Sequence, residues 1–83
     1  MDELRILGVQ IKNRGKAAIQ VQDVLTKFGC SIRTRLGLHE VDEEHCSTDG
    51  LVLLELYGNY TEQDKLEANL KAIDGVVVKK MVF

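Results

Sequence analysis

Eighty-three residues make a single small domain, 1–83, with chain enough for one hydrophobic core and little margin. A hydrophobic share of 45% and a charged share of 29% fit a soluble globular protein, and a formal net charge of −2 supplies no overall positive field for nucleic acid. With 5% aromatic residues and no tryptophan, a stacking platform for single strands is disfavoured as well.

The chain begins MDELRILG, acidic and without the basic-then-apolar run of an export signal. No apolar run approaches the roughly 20 residues a membrane helix needs, so a cytoplasmic protein is expected. Leu4 to Lys12 reads as a strand with Leu7, Val9 and Ile11 on one face. Asn13-Arg14-Gly15 breaks it, and a helix is predicted from Lys16 to Phe28, with Ala18, Val21, Leu25 and Phe28 on one stripe. Asn13 serves as its N-cap, and Gly29 is placed to end it in the left-handed conformation.

The second strand alternates Ile32, Thr34, Leu36 and Leu38 against Arg33, Arg35, Gly37 and His39. The 10 residues from Val41 to Gly50 form the one long connection, and such loops are often functional. Leu51 to Tyr57 follows as a third strand, apolar on both faces. Gly58-Asn59 closes it. Thr61-Glu-Gln-Asp64 resembles a capping box opening a helix that buries Leu66, Leu70 and Ile73. Gly75 ends that helix, and Val76 to Phe83 makes a last, valine-rich strand. Cys30 and Cys46 form no disulfide framework and are read as reduced thiols.

The order β-α-β-β-α-β predicts a ferredoxin-like two-layer α+β sandwich, a four-stranded antiparallel sheet with both helices on one face. The helices can cover Leu7, Val9, Ile11, Val52, Leu54 and Leu56. Leu4, Ile6, Leu51, Leu53 and Tyr57 are then left on the open face, with Arg33, Arg35 and His39 beside them by alternation. An apolar open face predicts a homo-oligomer, dimer or tetramer, built through it.

Three stretches carry a family resemblance. Asn13-Arg14-Gly15-Lys16-Ala17 stands at the turn into the first helix, which continues through Gln22-Asp23-Val24-Leu25. Arg35-Leu36-Gly37 sits on the second strand, and Leu70-Lys-Ala-Ile-Asp-Gly-Val-Val-Val-Lys79 joins the second helix to the last strand. Together they resemble small ACT-like regulatory domains, in particular the iron-only hydrogenase system regulators and the metal-sensing C-terminal domain of nickel-responsive repressors. The resemblance implies a regulatory module in which Asn13, Arg14 and Gly15 help bind a small effector at a subunit interface. Those repressors carry a ribbon-helix-helix before the sensor domain, whereas this chain starts at the first sensor strand, so no DNA-binding domain and no direct nucleic-acid contact are expected. Their metal site uses a His-x-His pair and a cysteine. Here Gly37 replaces the first histidine, His39 keeps the second, His45 stands where the cysteine would be, and Cys46 is one residue further on.

His39, His45 and Cys46 fall within eight residues, and imidazole and thiolate suit nickel or zinc. Asp42, Glu43, Glu44 and Asp49 stand by as oxygen ligands, and a site shared between protomers would complete the set. The alternative is a solvated acidic loop. A glycine in the first helical turn lets carboxylate or phosphate approach the amides, against the alternative of a plain tight turn. An acylphosphatase-like hydrolase would use Arg14 beside Gly15 as an anion cradle, but the longer glycine-rich loop of that family is missing. No nucleophile–base pair can be placed, and no enzyme activity is expected. The expectation is a sensing module for a small effector or metal, with a ligand-free assembly module as the alternative.

Overall fold

The computed structural model describes residues 3–12, 14–38 and 50–83. In chain order the elements are β1 (Arg5–Ile11), α1 (Arg14–Lys27), a 3-10 turn (Gly29–Ser31), β2 (Ile32–Leu38), β3 (Gly50–Leu56), α2 (Tyr60–Lys71) and β4 (Val76–Val82). The strands form one antiparallel sheet in the order β2-β3-β1-β4. This is the ferredoxin-like arrangement that the element order predicts.

Strand alternation sorts the side chains into two layers. Leu7, Val9 and Ile11 of β1 and Leu54 and Leu56 of β3 are buried with Ala17, Val21, Leu25 and Phe28 from the first helical segment and Leu66, Leu70 and Ile73 from the second. Each fully buried leucine contributes about 1.5–3 kcal/mol. Val52, Val76 and Val78 pack around the margin of this core, as does Ala18, while its neighbour Ala17 is the buried member of the α1 stripe.

Two helix boundaries differ from the sequence reading. The first helix starts at Arg14, and Gly29 is not its left-handed stop: the chain passes through Phe28 into the 3-10 turn, whose Ser31 amide donates to Phe28 O at 2.9 Å. Among the described glycines only Gly58 and Gly75 have positive φ, +83° each, where the missing Cβ removes the steric cost. The second helix starts earlier too. Its N-cap is Asn59, whose side chain accepts from Glu62 N at 3.2 Å, so Thr61 lies inside the first turn rather than capping it.

A third difference changes a face. Ile32 pairs with Leu56, but Thr34 pairs with Glu55, Arg35 with Leu54 and Leu36 with Leu53. Two residues of β2 thus pass for one of β3, a β-bulge that absorbs Arg33. Beyond the bulge the alternation is reversed, so Arg35 lies on the helix side and donates to Gln22 Oε1 of α1. Arg33 lies on the open face, its guanidinium 4.5 Å from the Tyr57 ring centre and 3.8 Å from Glu55 Oε2. The expectation that Arg33, Arg35 and His39 share the open face therefore holds for Arg33 and fails for Arg35; His39 is outside the described residues. Leu36 takes Arg35's place there and is 51% exposed.

The open face is apolar as anticipated. Leu4, Leu36, Leu51, Tyr57, Val77 and Met81 are exposed, and Ile6 and Leu53 are half-buried. Leu53 lies against Gly8: a Cβ added there would stand 3.7 Å from Leu53 Cδ2. Polar ties hold the outer elements. Arg5 bonds Glu3 at 3.1 Å and Asp64 of α2 at 2.9 Å, with its guanidinium 4.4 Å from the Tyr60 ring centre. Among the described residues, no helix is long and apolar enough to cross a membrane.

Candidate effector site

The predicted effector turn lies where β1 hands over to α1. Asn13 is outside the described residues. Arg14 is the first residue of α1 and Gly15 the second. A Cβ on Gly15 would meet nothing within 4 Å, so packing alone does not require glycine at this position.

Close contact occurs instead at Gly75, between α2 and β4. Its carbonyl accepts from Lys12 N at 2.8 Å. A Cβ there would come within 3.2 Å of Lys12 O, so positive φ and lack of space both select glycine. This approach brings the end of β1 beside the end of α2. Between them opens a cavity of about 450 Å³, lined by Lys12, Lys16, Ala17 and Gln20 on one side and by residues 72–75 on the other.

The electrostatics of this cavity favour an anion. The first turn of α1 carries no acidic residue, so the partial positive charge of its free amides is not neutralised from within the helix. Lys12 and Lys16 are both exposed and both line the cavity, with Asp74 the one carboxylate among the described lining residues. The arrangement can hold a carboxylate or phosphate by charge and by amide N–H groups. Its described lining presents no nucleophile paired with a base.

Of the predicted site residues, Arg14 and Gly15 are the first two residues of α1, at the end that faces this cavity, and Gly15 is not among the described residues that line it. Lys12 and Gly75 were read from sequence only as a strand end and a helix stop. Their meeting depends on pairing between β1 and β4, which no local pattern reveals. The candidate metal ligands His39, His45 and Cys46 lie outside the described residues. Among the described residues no three His, Cys, Asp or Glu side chains group as a metal site, and Cys30 is an exposed free thiol.

No protein-family model and no curated protein matches the chain. Solved structures do. The uncharacterized protein TM1266 from Thermotoga maritima superposes with a TM-score of 0.81 at 29% identity, over 99% of each chain. The ACT domain of a GTP pyrophosphokinase from Chlorobium tepidum gives 0.70 at 19% identity, covering 98% of this chain and 100% of that one. CPII, a nitrogen regulatory PII-like protein from Thiomonas intermedia bound to ADP, AMP and bicarbonate, gives 0.57 at 12% identity, over 99% and 93%. The fold is therefore that of ACT domains.

Proposed function

We propose that this chain is a small regulatory module of the type of the iron-only hydrogenase system regulators. It binds an anionic effector at the β1–α1 end and passes the change to other subunits through the open sheet face. The observation that carries the reading is the cavity between Gly75 and the N-terminus of α1, whose first turn has no acidic residue, with Lys12 and Lys16 in its lining. The ACT domain and the PII-like protein among the structural neighbours support a regulatory role on this fold. The apolar open face supports a homo-oligomer. The proposal assigns no chemical step to the chain.

Thermal melts with L-amino acids, ADP, AMP and bicarbonate test the effector. A ligand at a hundredfold excess over its Kd stabilises by about 2.7 kcal/mol. At least one of these anions should raise the Tm, and Lys16→Glu should abolish the rise. Identical melting temperatures across the series would reject the site. The same melts with nickel, zinc and a chelator test the second proposal, that His39, His45 and Cys46 share a metal between protomers. His39→Ala should remove any protection by metal, and equal melts with metal and chelator would reject it.

A further inference from the structure

The strand register orders the open face of the sheet in rows, since directly paired residues point to the same side. Thr34, Glu55, Ile6 and Met81 form one row across the sheet, and Leu36, Leu53, Gly8 and Lys79 form the next. Among the described strand residues this face carries three charges, Arg33, Glu55 and Lys79. Glu55 lies beside Arg33 and accepts from Thr34 Oγ1 at 2.8 Å. Lys79 is exposed and belongs to none of the ion pairs among the described residues. Glu55 and Lys79 stand one row and two strands apart, roughly 12 Å between Cα atoms at sheet spacing, with β1 between them.

Gly8 sits at that crossing, in the middle of β1. Its φ is not positive, and a Cβ there would make only ordinary contacts, 3.7 Å to Leu53 Cδ2 and 3.9 Å to Lys79 O. The protomer by itself would accept alanine, and glycine inside a strand weakens it. Bare backbone at this point leaves room for a second backbone to come close.

We propose that a second copy of this chain stacks on the open face about a two-fold axis crossing β1 between Ile6 and Gly8, with Glu55 of each protomer paired to Lys79 of the other. The pairing rests on the reading of this face as a homo-oligomer interface. Two copies of one face meet symmetrically about an axis that lies between the sheets and parallel to them. When that axis runs obliquely to the strands, it exchanges the positions of Glu55 and Lys79 and brings the two Gly8 backbones together. The strands then cross steeply, nearer the orthogonal than the aligned class of sheet packing. A carboxylate covered by apolar surface is costly without a cation, and the lysine of the second copy supplies one, twice over by symmetry. The face spans roughly 19 by 24 Å at strand spacing and rise. Summed over two copies this is on the order of 1,000 Å², the low end of specific interfaces.

Sedimentation of the intact chain over a dilution series tests the pairing. Lys79→Glu sets two carboxylates against each other at each contact, and Glu55→Lys sets two ammonium groups. Each variant alone should raise the dimer dissociation constant at least about tenfold, ~1.4 kcal/mol. An equimolar mixture of the two should recover native affinity, because a mixed dimer has one native and one reversed pair. Gly8→Ala should weaken the dimer while its far-ultraviolet spectrum stays native. If either charge variant fails to fold, carbodiimide coupling of the native protein decides: peptide mapping should find a Glu55–Lys79 amide in the cross-linked dimer. Single variants as tight as the native protein, a mixture that is not rescued, or a cross-linked dimer without that amide would overturn the pairing. In each of those cases a native dimer broken by Leu53→Lys would leave the open-face interface standing, whereas a native monomer would remove both.

Discussion

Glu67 joins two lysines from different elements, Lys71 one turn along α2 at 2.9 Å and Lys80 of β4 at 3.1 Å. Its side chain is only 12% exposed. The hydrogen bond from Lys71 lowers its pKa below the ordinary carboxylate value; burial opposes this, and the bond from Lys80 adds to the lowering. A carboxylate whose folded pKa is depressed contributes stability that is fully present above the unfolded pKa, about 4.3. That contribution is lost as pH falls through the lowered folded value. Glu67→Gln should therefore cost about 1 kcal/mol at pH 7, and the gap from the native protein should close in strongly acidic buffer. Urea denaturation of both proteins at several pH values measures this, and a gap independent of pH would refute the electrostatic account.

Asn59 rather than Thr61 starts α2, and the two residues offer a clean comparison. Asn59→Ala removes the acceptor of Glu62 N and should cost about 1 kcal/mol. Thr61→Ala touches no cap and should stay within about 0.5 kcal/mol; equal losses in chemical denaturation would show that the cap is misassigned. The six long elements were all legible from hydrophobic period, because strand and helix spacing depend on nearest neighbours along the chain. Their ends were less so. Asn59 and Thr61 are both good capping residues two positions apart, and only the chain's exit from β3 decides between them. Gly29 and Gly75 look alike in sequence, yet of the two only Gly75 adopts positive φ, where the chain turns from α2 into β4 and its carbonyl meets Lys12 N. The bulge at Arg33 was invisible for the same reason: Leu36 and Leu38 continue the pattern of Ile32, and nothing local signals that one residue is skipped. Gln63 lies on the buried stripe with Leu66 and Leu70, but a polar residue at such a position is read as an edge until its burial is seen.

For the whole molecule, the two faces of the sheet set the expected behaviour. The helix layer closes one face, and the other presents Leu36, Leu51, Leu53 and Tyr57 from neighbouring strands β2 and β3 and their borders. Burying Leu53 against a second copy would contribute about 1.5–3 kcal/mol per protomer. The native protein should sediment as an oligomer at micromolar concentration, and Leu53→Lys should shift it to a smaller species with an unchanged far-ultraviolet spectrum. A native monomer under those conditions would refute the assembly. The bulge in β2 has a further consequence at the rim of the sheet. β2 is an edge strand, and an edge strand with a straight row of free amides and carbonyls is a template for another strand. The extra residue at Arg33 bends that row and raises its twist, so ribbon-like growth, sheet beside sheet, is hindered at this edge. Stacking of open faces uses the apolar surface up, whereas edge addition always exposes a new edge. One skipped residue thus favours assemblies that close over those that polymerise.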